Sequence, residues 1–491
     1  LLVQESVADI LYGKIRNRMS KLVLGDSLDK GIDVGAMVDS TQLERVSSMV
    51  ELGVEEGAEK WQASCDLPKG GCYYPPTLLT DVQPSATLAQ EEIFGPVLIS
   101  MTFRTPAEAV ALANNSRYGL AASLWTENIN LALDVAPKLK AGSVWVNCTN
   151  VFDAAAGFGG YRESGFGREG GKEGLYEYVK PFWESRLSKD PVQTLPLFTP
   201  VEDETAYETP EIDRTPKMYI GGKQVRPDGG YSQAAHDATG RVIAEIPTGN
   251  RKDIRNAVEA ARAAEGWAGT TAHNRAQVLY YIAENLSARG EEFTRRIAQL
   301  SGKDELAARA ELDLCIKRIY TYAAMSDKYD SRVHSTPMRN ITLAMKEPLG
   351  VIGIVAPEEA GLLGFISTVM PAIAMGNRVV IIPSQHYALL ATDFYQVLDT
   401  SDLPGGVVNI VTGDQDVLAE VLAKHYDIEG MWYWGSRKGS KMVEEEAAET
   451  MKRTWVNYGL YHDWEDDEQG QGKSFLRKAI EIKNIWIPYG E

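Results

Sequence analysis

Four short apolar runs between residues 350 and 434 constrain the fold more than anything else in the chain. Gly350–Val355, Arg378–Pro383, Val407–Val411 and Met431–Trp434 are too short for helices and, Arg378 and Asn409 aside, have no polar face. They read as strands buried on both sides. Helical runs separate them, Leu362–Met375 and Asp414–Ala423 among them. Parallel neighbours need a crossover, and crossover helices cover both faces of a sheet, so this rhythm predicts a doubly wound parallel sheet. Ahead of it, Met218–Lys223 carries a hairpin signal, and Asn250 with Asp253 three residues on predicts a capped helix through Ala264.

Upstream the composition breaks. Over 188–215, Pro191, Pro196, Pro200 and Pro210 share a segment with Glu202, Asp203, Glu204, Glu208, Glu211 and Asp213. Proline and like charges disfavour a packed core, so this stretch reads as an extended acidic linker. A second acidic stretch lies at 461–472, before the β-branched and aromatic run Ile480–Ile487. The chain is therefore modular, as a length of 491 residues also implies. A net charge of −18 opposes the clustered Lys and Arg that a nucleic-acid surface needs. No apolar run is long enough to span a bilayer and no secretory leader is evident, which with only four cysteines points to a reducing cytoplasm. The spacing of Cys65 and Cys72 matches no zinc pattern, and all six histidines lie beyond residue 230, so no metal site is expected.

In the first part, LLVQESVADI reads as a strand running into a helix, as if the chain began mid-domain. Ser40 is a fair N-cap before Leu43, Val46 and Val50, and Thr105-Pro106-Ala107-Glu108 is a capping box with Pro at the first helical position. That helix should stop near Gly119, a second should cover 129–140, and Ser143–Cys148 is β-rich. Gly165, Gly167 and Gly170 spell GxGxxG, but a loop rather than a strand precedes them, so they are read as easing a tight backbone path. Glu91-Glu92-Ile93-Phe94-Gly95-Pro96 is a turn feeding Val97–Phe103, with Val97, Ile99, Met101 and Phe103 on one face of a single strand.

EEIFGPV at 91–97, with PTLLTDV at 76–82, YGLAASLWT at 118–126, AGSVWVN at 141–147 and GFGGYRESGFGRE at 157–169, resembles the aldehyde dehydrogenase superfamily over about residues 1–187. Residues 216–460 resemble the beginning of a member, its cofactor-binding domain. An end followed by a start is similar to the tandem family 16 type, whose second module is degenerate. The resemblance implies an α/β fold in six parts: the C-terminal part of a catalytic domain (1–158), a Gly-rich loop and first-module tail (159–187), the acidic linker (188–215), a degenerate Rossmann-like domain (216–460), a second acidic linker (461–472) and an oligomerisation tail strand (473–491). The tail Ile480–Ile487 is expected to pair beside Asn340–Lys346, and Val179–Trp183 partly repeats its sequence.

The resemblance also implies chemistry. A family 16 parent would oxidise a small-molecule aldehyde to a carboxylate with NAD or NADP through a cysteine thiohemiacetal, as a cytoplasmic homo-oligomer such as a dimer. Glu92 would hydrogen-bond the nicotinamide ribose and Phe94 would pack near the ring, while Asn150, Phe152 and Phe158 would line the aldehyde tunnel. The nucleophile would lie just upstream of Leu1, in a missing N-terminal part of the first module, so no catalytic residue is expected in this chain, which alone would be inactive. In the second module, the oxyanion-holding Asn position corresponds to Glu359, the ribose-binding Lys to Ile382 and the general-base Glu to Asn457, which implies a pseudoenzyme. The alternative is a catalytically dead scaffold that binds partner proteins.

Overall fold

The computed structural model describes residues 1–191 and 217–489, and its compact parts are Leu1–Val151 and Phe152–Glu491. This division falls a few residues before the boundary expected at 158. Of the segment 188–215, only Ser188–Pro191 is described, as a short strand antiparallel to Leu460–Tyr461; the rest lies outside the described residues.

In the first unit Leu2–Gln4 runs parallel to Met101–Phe103, and Thr77–Thr80 is flanked by Glu59–Gln62 and Val97–Ile99. The expected single strand 97–103 is thus two strands broken at Ser100. Ser100 is buried, gives its N–H to the Leu79 carbonyl and shares a hydroxyl hydrogen bond with Tyr12, so the two halves join different partners. The helix Ser40–Glu55 is capped by Asp39, one residue earlier than expected, because the Asp39 carboxylate reaches the Gln42 N–H at 2.8 Å. Thr105 does cap Pro106–Asn114, but Glu108 reaches back to the Arg104 N–H rather than to the cap residue, so only half the box forms. That helix ends at Asn114, and the one expected over 129–140 is α-helical only over Ile129–Val135 before a 3-10 turn at Ala136–Lys138. The apolar face of Ser40–Glu55 places Val46 and Val50 against Leu79, Leu88 and Ile93, which form the core under the 91–96 turn.

The second unit is built on a seven-stranded sheet. Its five parallel strands lie in the spatial order Val408–Ile410, Arg378–Ile382, Val351–Val355, Gly430–Tyr433, Arg453–Val456, with the hairpin Met218–Ile220 and Lys223–Val225 on one edge. In chain order the parallel strands read 3-2-1-4-5, the doubly wound arrangement expected. Every residue of Val351–Val355 and Arg378–Ile382 is buried, including Arg378, which donates to the Ala261 carbonyl. The capping box at Asn250 forms in full and starts Arg251–Ala263. The tail strand Ile480–Pro488 pairs antiparallel with Asn340–Pro348 along nine residues, from Asn340 opposite Pro488 to Pro348 opposite Ile480. Val179–Trp183 forms no strand: the chain there passes through a turn into the 3-10 segment Phe182–Arg186, and Pro181 has no N–H to donate to a ladder. Among the described residues no helix is long and apolar enough to cross a membrane.

Candidate functional site

The turn Glu91–Pro96 is held from beneath by one helix. Gln42 donates its side-chain amide to the Ile93 carbonyl at 3.1 Å and the Phe94 carbonyl at 2.9 Å, and Arg45 reaches the Glu92 carbonyl at 3.3 Å. Ile93 is buried in the core beside Val46 and Val50. Gly95 passes so close to the helix that a Cβ there would lie 2.7 Å from a Val46 methyl. Pro96 then accepts the Thr77 N–H, which delivers the chain to its strand.

With the backbone fixed, the side chains have separate fates. Glu91 forms an ion pair with Arg117 at 2.7 Å. Ile93 points into the core. Glu92 is left exposed, and its carboxylate makes no hydrogen bond among the described residues. Phe94 sits in the left-handed region with φ 55° and is 74% exposed. A bulky side chain there carries about 1–2 kcal/mol of backbone strain and gains little burial in return, the combination found where function holds a residue in place. The turn presents an acceptor carboxylate and an open aromatic face side by side.

Asn150 also has a positive φ, of 53°, and is exposed after the strand Ser143–Val146 at the end of the first unit. Trp145 donates its indole N–H to the Val151 carbonyl at 2.9 Å, which fixes the segment. In the second unit Phe152 and Phe158 meet edge to face with centroids 5.0 Å apart, and Phe152 is half exposed. Phe158 is tied to the Gly-rich loop by a reciprocal backbone pair with Glu169, both bonds 2.7 Å. Gly165 and Gly170, at φ 85° and 70°, lie on that loop without a preceding strand, as read from the sequence.

The second unit has its own crevice, at the carboxyl ends of Val351–Val355 and Gly430–Tyr433, where the strand order reverses and doubly wound sheets take ligands. Here it is filled by the protein. The Glu358 carboxylate accepts from the Ser384 hydroxyl at 2.7 Å, the Gln385 N–H at 2.8 Å and the His386 N–H at 3.4 Å. Glu359 accepts from the Trp464 indole at 3.0 Å. Burial holds both carboxyls above the ordinary glutamate range. Trp434, Trp455, Trp464, Phe475 and His462 pack edge to face above the strand ends. Burial lowers His462 to about 4, so its ring is neutral. Ile382 is fully buried, and Asn457 uses its carbonyl oxygen on the Gly435 and Gly459 N–H groups. The stretch 461–472, read as a linker, thus supplies Trp464, only 4% exposed, as a plug. Nothing local in the sequence marked that role, nor the clamp by Gln42 and Arg45.

A model of the aldehyde dehydrogenase family matches residues 1–183 and 225–460. The chain belongs to that family. The putative aldehyde dehydrogenase DhaS of Bacillus subtilis is 41% identical over 185 residues, covering 37% of each chain. An aldehyde dehydrogenase of Agaricus bisporus is 39% identical over 179 residues, 36% of each, and aldehyde dehydrogenase 1A1 of Rattus norvegicus is 39% identical over 180 residues, 37% of this chain and 36% of that protein. The chain spans a little over a third of the length of these curated relatives. A solved NAD-dependent aldehyde dehydrogenase from Sinorhizobium meliloti is 27% identical over 49% of each chain, with a TM-score of 0.48.

Proposed function

We propose that the protein represented by this chain oxidises an aldehyde to a carboxylate with NAD or NADP as acceptor, and that its first module carries the chemistry. The observation that supports this most is Phe94, left-handed and exposed beside the unpartnered carboxylate of Glu92. That pair fits a nicotinamide riboside: a carboxylate accepts from the two ribose hydroxyls, and an open ring face packs the nicotinamide. The bound cofactor supplies a hydride acceptor. In this reading Asn150, Phe152 and Phe158 line the aldehyde route, and the two phenylalanines exclude water from it.

The nucleophilic thiolate is proposed to come from a residue preceding Leu1. Burial raises the thiols of Cys65, Cys148 and Cys315, Cys315 the furthest, and a raised thiol is a poor nucleophile near neutral pH. The second module is proposed to be a family 16-type pseudoenzyme. Its crevice does not fit a dinucleotide, because Glu358 already takes the Gln385 and His386 amides, and a phosphate brought there would meet a buried carboxylate. A cytoplasmic homo-oligomer completes the proposal, supported by the acidic charge and by four cysteines that are all free.

The test is calorimetric titration of NAD and NADP into residues 1–491, set against turnover of the full-length natural protein. The chain should show no binding tighter than roughly 100 μM, while the full-length protein should reduce NAD or NADP with an aldehyde. Tight binding to the chain that survives Glu92→Ala would place a working cofactor site in the second module and end the pseudoenzyme reading. A full-length protein inert toward every aldehyde and both cofactors would favour the scaffold alternative.

A further inference from the structure

The Gly-rich loop 157–169 is fastened by a set of charged and polar side chains that come from more than 170 residues further along the chain. Asn484 donates its side-chain amide to the Gly157 carbonyl at 2.6 Å. Arg168 folds back to the Gly160 carbonyl at 2.8 Å and extends to the Glu481 carboxylate at 2.9 Å. The Tyr161 hydroxyl donates to Glu347 at 3.0 Å, and Lys483 donates to the other oxygen of the same carboxylate at 2.7 Å. Contacts on residues 157, 160, 161 and 168 therefore bracket Phe158 on both sides. The loop has no slack, since a Cβ on Gly159 would fall 2.0 Å from the Gly167 carbonyl.

These ions are costly where they are. Lys483 is 0% exposed and Arg168 3%, with Glu347 at 17% and Glu481 at 12%. A buried ion pair adds little net stability compared with a well-packed apolar pair, but it fixes geometry because any displacement strands a charge. The tail strand does not need them to stay in place. It is paired along its full length with Asn340–Pro348 and buries Ile480, Ile485 and Trp486. What the ions add is a fixed position for the loop.

We propose that Asn484, Lys483 and Glu347 are positioning residues for the aldehyde route, holding the loop so that Phe158 keeps its edge-to-face contact with Phe152. The proposal rests on the reading in which those two rings line that route. Second-module side chains thereby set the width of a channel that belongs to the first module's reaction. Removing one of them lets the loop and Phe158 shift, which alters the fit of a bulky aldehyde more than that of a small one.

The experiment compares acetaldehyde with benzaldehyde in the full-length natural protein, and follows hydrogen exchange of the 157–169 amides in the same samples. Lys483→Met should change the ratio of kcat/KM for the two aldehydes by about fivefold or more, mainly through KM, and speed exchange of the loop by about tenfold. Asn484→Ala leaves no charge stranded and keeps the test decisive where Lys483→Met fails to fold; it should move both readouts in the same direction. Loss of folded protein alone would lower turnover of both substrates equally and leave the ratio unmoved. Turnover with an unchanged ratio in Asn484→Ala overturns this proposal and leaves the aldehyde reading standing. A wild-type protein that oxidises no aldehyde with either cofactor overturns both.

Discussion

Two of the chain's Glu-Glu pairs, Glu91-Glu92 and Glu358-Glu359, lie on turns next to apolar strands, and the fold treats them in opposite ways. At 91–92 one carboxylate is paired with Arg117 and the other is left open to solvent. At 358–359 both are drawn inward, one onto a hydroxyl and two amides, the other onto an indole N–H. The first turn is clamped through its backbone carbonyls by Gln42 and Arg45, which leaves the Glu92 and Phe94 side chains exposed. The second turn is clamped through its side chains, which are drawn inward onto protein donors, although one Glu359 oxygen has no hydrogen-bond partner among the described residues. The same dipeptide is left partly open in one place and built into the interior in the other, according to which atoms the rest of the protein has already used.

The largest expected effect tests the structural role of the inner pair. Glu358→Ala strands the Gln385 and His386 N–H groups, while the Ser384 hydroxyl keeps the residue 358 carbonyl, and it should lower unfolding free energy by about 3 kcal/mol in denaturant titrations. A change under about 0.5 kcal/mol, the usual size for a surface site, would put Glu358 in the same class as Glu92 and dissolve the comparison. Next comes Glu92→Ala. Its stability should stay within about 0.5 kcal/mol of wild type. In the full-length protein, loss of a charge-assisted contact should weaken transition-state binding by about 1.5–3 kcal/mol, read from kcat/KM for NAD or NADP. Unaltered kinetics at limiting cofactor would reduce Glu92 to a surface carboxylate.

A smaller effect tests the burial of Glu359 by pH. Burial raises Glu359 above its unfolded value, so folding favours the neutral form. The stability this contributes is complete below the ordinary glutamate range and is lost as pH rises through the raised folded value. Glu359→Gln is neutral at every pH and still offers an oxygen to Trp464. It should match wild type near pH 4 and exceed it near pH 8, the two sides of the carboxyl titration. Depressed His462 works in the opposite sense, destabilising as pH falls toward about 4, but it is common to both proteins and cancels in the difference. A difference that does not vary with pH would mean that Glu359 is not held neutral by burial. The smallest effect belongs to Phe94→Gly. Glycine adopts φ 55° without strain, so stability should hold or rise by up to about 1 kcal/mol while turnover in the full-length protein falls. A loss of stability instead would show that the ring is packed rather than presented.

Much of this architecture was legible without coordinates. The mostly apolar runs at 351–355, 378–382, 408–410 and 430–433 announced a parallel sheet because a strand buried on both faces is rich in apolar residues; its polar members, Arg378 and Asn409, are buried and hydrogen-bonded. Asn250 announced its helix because a cap acts on N–H groups two and three residues away. The motif blocks led to the family, and the tail found its partner strand. Local reasoning went astray in places. Asp39, one residue earlier, took the cap from Ser40, and Ser100 broke a strand to bond Leu79 and Tyr12.

By itself, then, the sequence determined which segments would be strands, which helices would be capped, and which family the chain belongs to, because periodicity, capping and motif order act over a few residues. Tertiary structure alone decided which carboxylates remain open. Glu358 is bonded by groups 26–28 residues away, one oxygen of Glu359 by an indole 105 residues away, and Glu347 by Lys483 at 136. A hydrogen bond requires its partner within about 3 Å, and the side chain that arrives there is set by how sheets and loops close on one another, which no local pattern encodes.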